Sequence, residues 1–237
     1  MILVLWDIDR TLLYTGDIDR RVYRETFTDV VGRPPTALPA RGTGVTMPLA
    51  VRELLKANHV PPADSEALAN RIVEQLPQRL QQYRELLATD GVVLPGAAEA
   101  LAAVHHDGRF VPTVVTGNLR GSAEVKLDAL GLINYLDITI GGYASDNSHR
   151  PALVRIAQDR AEAVHGIHFD RENTVIVGDS LEDVRTGLEG GARVIAVASG
   201  TTNASQLRDA GANHVLPDLT GTDSLLGVLE TQARETE

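Results

Sequence analysis

Six short apolar runs punctuate the chain, at residues 2–6, 111–115, 137–140, 174–177, 194–197 and 214–216. Each is rich in Val, Ile or Leu and stops at polar residues or glycine. The middle runs are preceded by longer stretches, 96–106, 119–130 and 151–164, with the look of amphipathic helices. A continuous apolar run suits a strand covered on both faces. Its alternation with helices predicts an α/β fold with a doubly wound, Rossmann-like parallel sheet. Gly131 and Gly166 stand where helix C-caps belong, and Pro151 suits a first helical turn.

Residues 14–90 break the rhythm. They hold helix-like segments at 19–31, 48–58 and 65–87 but no convincing strand. The economical reading is a helical cap inserted after the first strand, on a core made of residues 1–13 and 91–237. Pro34-Pro35 and Pro61-Pro62 mark turns inside the insertion, and Asp90-Gly91 and Pro95-Gly96 flank its return to the sheet.

Composition narrows the chemistry. The chain has no cysteine, which excludes disulfides and thiolate metal sites. Carboxylates and histidines are then the available metal ligands, and they favour hard, oxygen-seeking ions. The formal net charge of −10 argues against a nucleic-acid partner, because binding that backbone needs a basic surface. A small phosphorylated metabolite stays compatible, since one site can be locally positive. No segment approaches the roughly 18 apolar residues of a membrane span. The first apolar run is too short for a signal-peptide core, so no membrane association and a cytoplasmic location are expected.

In open α/β sheets, ligands bind beyond the carboxyl ends of the strands. Asp7 and Asp9 follow the first run, Thr116-Gly117-Asn118 the second, and Asp179 and Asp183 the fourth. Four aspartates and a threonine are therefore expected to converge on one sheet edge. Any one aspartate could be a helix cap or a turn residue. Four together carry a large desolvation cost unless a cation offsets them. Mg2+ suits such a place, because it takes carboxylate and carbonyl oxygens and keeps waters for an incoming phosphate.

These residues resemble the motifs of the haloacid dehalogenase superfamily. Asp7-Ile8-Asp9-Arg10-Thr11-Leu12 is similar to the first motif, Thr116 with Gly117-Asn118 to the second, and Gly178-Asp179-Ser180-Leu181-Glu182-Asp183 to the fourth. The resemblance spans essentially the whole chain, helical cap included. It implies a nucleophile at Asp7, which forms an aspartyl-phosphate, and a general acid and base at Asp9. It implies phosphate binding by Thr116, Gly117 and Asn118. Mg2+ would be held by Asp7, the backbone carbonyl of Asp9 and Asp179, with Asp183 supporting the metal directly or through water. An aspartate at position 9 favours phosphoryl transfer over halide displacement, which needs no acid there.

Two positions depart from the pattern. Arg10 stands where related phosphatases commonly have glycine. The third motif, a lysine often followed by proline, is replaced by His149-Arg150-Pro151. Arg150 is the expected substitute, a guanidinium suited to phosphate. Lysine occurs only at Lys56 and Lys126. Lys126 lies about 12 Å down a helix from Asn118 at ~1.5 Å per residue, and is expected to be a solvated surface charge. In the cap, Gly42-Thr43-Gly44-Val45-Thr46 beside Arg41 is either a substrate-facing loop or an ordinary glycine-rich turn.

The resemblance to phosphoglycolate phosphatase-like members implies a small phosphomonoester substrate, phosphoglycolate or a sugar phosphate. A phosphomutase using the same core motifs stays open. So does a phosphonate hydrolase, whose Schiff-base lysine only Lys56 could supply.

Overall fold

The computed structural model describes residues 1–40 and 44–234, with side chains up to residue 231. Arg41, Gly42 and Thr43 of the expected cap loop lie outside the described residues. The chain opens with β1 (Ile2–Trp6) and a two-residue strand, β2 (Leu13–Tyr14), then α1 (Ile18–Val31), α2 (Met47–Ala57), α3 (Pro62–Gln81) and α4 (Arg84–Asp90). It returns through β3 (Val92–Val93), α5 (Ala97–His106), β4 (Phe110–Thr116), α6 (Arg120–Ala129) and β5 (Gly142–Tyr143). It ends with α7 (Ala152–His165), β6 (Thr174–Gly178), α8 (Leu181–Gly190), β7 (Arg193–Val197), α9 (Ala204–Asp209), β8 (His214–Leu216) and α10 (Thr222–Arg234).

Six strands form one parallel sheet in the order β5-β4-β1-β6-β7-β8. The apolar run of β1 explains its central place. Ile2, Val4 and Trp6 enter one buried layer and Leu3 and Leu5 the other, the two-residue alternation of a pleated strand. Helices α5, α6 and α10 cover the first face, and α7, α8 and α9 the second. With both faces buried, every residue of β1 has to be apolar, and it is.

The run at 137–140 is not a strand. Asp137 Oδ1 accepts from the Thr139 N–H (2.9 Å) and hydroxyl (2.6 Å), which folds these residues into a turn. The partner of β4 is β5, where Gly142 pairs with Val115 and Tyr143 with Thr116. Ile138 and Ile140 still pack against the two apolar layers. Hydrophobic content alone does not separate a buried turn from a short strand.

The helices α1–α4 build a third apolar cluster around Phe27, Val51, Leu55, Ile72 and Leu76, and Leu119 and Ala144 of the sheet half join it. The expected helix 65–87 is broken at Gln82-Tyr83 into α3 and α4. The segment's entry and exit are tied together by β2 and β3, antiparallel with Leu13 opposite Val93. No helix of the described residues is long and apolar enough to cross a membrane.

Gly178, at the end of β6, sets how closely α8 approaches the sheet. A Cβ there would lie 2.3 Å from Asp183 Cγ. Gly178→Ala is expected to cost about 1–3 kcal/mol by overpacking, read as a lower urea midpoint at unchanged slope. An unchanged midpoint would show that α8 shifts freely.

Candidate active site

The edge of the sheet is assembled by four loops. Asp7 extends β1 by one ladder bond, its N–H donating to Val177 O (2.9 Å). A tight turn follows, in which Leu12 and Leu13 both donate to Ile8 O (2.9 and 3.1 Å). Ile8 is buried in the core, so Asp7 and Asp9, on either side of it, both face the carboxyl edge and its cavity.

Asp179 and Asp183 come from the loop and first turn after β6. Ser180 caps α8 in a reciprocal box, with Asp183 Oδ2 accepting from the Ser180 N–H (2.9 Å) and hydroxyl (2.6 Å). This fixes the Asp183 carboxylate beside Asp7. Carboxylate oxygens of Asp7, Asp179 and Asp183 lie within 4.8 Å of one another, and all three residues are buried.

Among the described residues, two buried cations bind the carboxylates of this edge directly. Arg150 Nη2 donates to Asp7 Oδ1 (2.7 Å) and Asp183 Oδ1 (2.5 Å), while Nη1 donates to Gly44 O (2.5 Å). Lys126 corrects the sequence expectation. It is 1% exposed, and its Nζ donates to both oxygens of Asp9 (2.8 and 2.9 Å), to Asp19 Oδ2 (2.9 Å) and to Asn118 Oδ1 (3.0 Å). The helix begins only at Arg120, and helical side chains lean toward the N-terminus. A long side chain on α6 therefore reaches back to the edge, where a count of axial rise had placed it out of range.

Thr116 is buried at the end of β4. Its Oγ1 accepts from the Asn118 N–H (3.2 Å) and Nδ2 (2.9 Å), and Asn118 Nδ2 also donates to Asp9 Oδ2 (2.8 Å). Gly117 is required by a close approach, since a Cβ there would lie 2.7 Å from Val45 O. The carboxylate of Asp9 is thus held by Lys126 and Asn118, outside the three-aspartate cluster.

The family model for haloacid dehalogenase-like hydrolases matches residues 4–187, a span containing every one of these side chains. The chain belongs to that family. It is 28% identical over 220 residues to "Probable phosphatase IndB" of Dickeya dadantii (strain 3937), covering 88% of this chain and 86% of that one. It is 23% identical over 219 residues to the phosphoglycolate phosphatase of Nitrosospira multiformis, covering 91% of each. A solved hydrolase from Pseudomonas syringae shares the fold, with a TM-score of 0.70 and 21% identity over 97% of this chain and 99% of that one.

The electrostatics of this haloacid dehalogenase-like site have one open demand. Burial, reinforced by Asp183, raises the Asp7 carboxyl well above the usual carboxylate range despite Arg150. Burial and Asp183 push Asp179 up to about 7, against a hydrogen bond from Thr11 (3.1 Å). Among the described residues, buried Asp179 Oδ2 has no partner. Three buried carboxylates this close together, one of them with an orphaned oxygen, make a donor set suited to a hard divalent cation. Burial pulls Lys126 down, but Asp19 and Asp9 outweigh it and keep the ammonium charged. Asp19, on the first turn of α1, was not anticipated; from sequence it resembles any first-turn acid favoured by the helix dipole.

Protons and a divalent cation compete for Asp179. Because its pKa is raised to about 7, the carboxyl is protonated below that pH and a poor ligand there, and ionised above it. A divalent cation should therefore raise the melting temperature of metal-free protein more above about pH 7 than below it. Thermal melts with and without the ion check this, and no rise at any pH rejects the cluster as a metal site.

Proposed function

We propose that this hydrolase is a Mg2+-dependent phosphatase that cleaves a small phosphomonoester through an aspartyl-phosphate on Asp7. The observation that carries the reading is a buried carboxylate held by a guanidinium, with a second carboxylate two residues on, facing one cavity. Arg150 binds Asp7 Oδ1 and leaves Oδ2 without a protein partner among the described residues. That oxygen would attack phosphorus in line with the leaving group. Asp9 would give the leaving oxygen its proton, then take one from the water that opens the aspartyl-phosphate, releasing phosphate and restoring Asp7. Lys126 and Asn118 hold the Asp9 carboxylate in place for both steps.

Thr116 Oγ1 already accepts twice, so its own proton is available to a phosphoryl oxygen. The arrangement supports phosphate binding by Thr116, Gly117, Asn118 and Arg150. When bound, Mg2+ on Asp7, Asp179, Asp183 and the carbonyl of Asp9 would offset the charge of phosphate meeting carboxylate. The cavity measures about 170 Å³, small beside the roughly 300–1,000 Å³ of sites for larger ligands. This favours a compact phosphorylated metabolite.

The test is phosphate release from a panel of small phosphomonoesters. Turnover is expected with Mg2+ and should vanish with chelator. Asp7→Asn should lower kcat by several orders of magnitude while the fold stays intact, because its amide is nearly isosteric. Wild-type release by Asp7→Asn would falsify covalent catalysis at Asp7. Isomer formation without phosphate would replace the hydrolase reading with a mutase.

Arg150→Ala should lower kcat by roughly 10²–10³-fold, the scale for losing one preorganised charge. Lys126→Ala should also be impaired, because it leaves Asp9 and Asp19 without their cation. Near-normal kcat in Arg150→Ala, beside a crippled Lys126→Ala, would assign the third-motif role to Lys126.

A further inference from the structure

Among the described residues, four cations line the cavity over the carboxylate edge, and they form two pairs. Arg150 and Lys126 are buried and committed to protein carboxylates. Arg10 and Arg20 are half-buried, and among the described residues neither forms an ion pair, although the Arg10 charge acts on the Asp179 carboxyl from a distance. Arg20 spends one donor, Nη1, on Pro39 O (3.1 Å). The Arg10 guanidinium lies over the Tyr14 ring, 4.9 Å from its centroid.

Arg10 also occupies a costly backbone position. Its φ is +69°, a conformation that disfavours residues with a side chain and that glycine adopts freely. The turn is held by backbone groups, the Arg10 N–H donating to Leu13 O (2.7 Å) and its carbonyl accepting from Ser199 Oγ (2.9 Å). Nothing in that turn requires arginine. What arginine adds is a flat cation, stacked on an aromatic face, with donors around its rim.

We propose that Arg10 and Arg20 form a second anion subsite, so that the substrate is a phosphomonoester whose leaving group carries a carboxylate. The proposal rests on the phosphatase reading of the same cavity. The phosphoryl end already has Arg150, Thr116 and the metal-binding carboxylates. Arg20 instead stands on α1, in the helical segment above the sheet, and also lines a second, outer cleft. It belongs to the leaving-group end. Two guanidinium forks match a carboxylate in geometry as well as charge, and the small cavity leaves room for a short acid tail. A neutral sugar would leave both guanidinium groups without an anion.

The test uses two substrates matched in size but not in tail charge, 2-phosphoglycolate and 2-hydroxyethyl phosphate. The wild-type enzyme should favour 2-phosphoglycolate in kcat/KM by roughly 10- to 100-fold, the scale of one or two charge-assisted hydrogen bonds. Arg10→Gly, which suits the left-handed turn, and Arg20→Gln should each shrink that ratio by about 10-fold, mainly through KM. A wild-type ratio near one overturns the proposal. So does a ratio unchanged in both variants, including the case where both substrates suffer equally because the arginines serve the phosphoryl group. If neither these two compounds nor any other phosphomonoester of the panel is turned over, the phosphatase reading fails by itself. Calorimetric binding of the two compounds to Asp7→Asn protein, with and without each arginine substitution, then decides the subsite on the same ratios.

Discussion

The constraint on which the rest of the structure depends is the burial of carboxylates at one edge of a parallel sheet. Asp7, Asp179 and Asp183 sit within a few ångströms of each other, out of water. An unpaired buried charge is far more costly than a paired one, so the fold has to bring cations in from elsewhere. Arg150 arrives from the start of α7 and Lys126 from two turns along α6. Even so, the raised Asp7 and Asp179 carboxyls and the orphaned Asp179 Oδ2 leave negative charge uncompensated. A divalent cation held by the three carboxylates would complete that balance.

Local structure is arranged to hold these groups without freedom. Asp183 is at once the reciprocal member of a helix cap and the acceptor for Arg150, so its carboxylate cannot rotate to solvent. Gly178 beneath it and Gly117 opposite Val45 remove side chains where backbone and carboxylate come close. The preorganisation comes from ordinary devices, a cap, a tight turn and two glycines, concentrated at strand ends.

Much of this was legible in the sequence. Uninterrupted apolar runs mark strands buried on both faces, and the residue after such a run sits at the ligand edge. That reasoning carried Asp7, Thr116 and Asp179 to one place. It misled at 137–140, where Asp137 captures Thr139 and folds an apolar run into a turn. It also misled at Lys126, because axial rise ignores the direction in which helical side chains lean. Asp19 was invisible for a different reason. Its importance lies in a contact with a residue 107 positions away, and no local pattern announces a long-range partner.

The two buried cations also join the halves of the molecule. Lys126 binds Asp9 on the sheet edge and Asp19 on α1 through one ammonium. Arg150 binds Asp7 and Asp183 with Nη2 and the carbonyl of Gly44, just before α2, with Nη1. A lysine at position 150 would offer three donors from a single point, whereas the guanidinium spreads its donors across a plane and spans all three acceptors. Arginine there has a reach that lysine would lack. The helical segment is therefore positioned by the same charges that the aspartates need for their own burial. Any ligand that redistributes charge at the edge acts directly on the contacts that hold α1 and the approach to α2 in place.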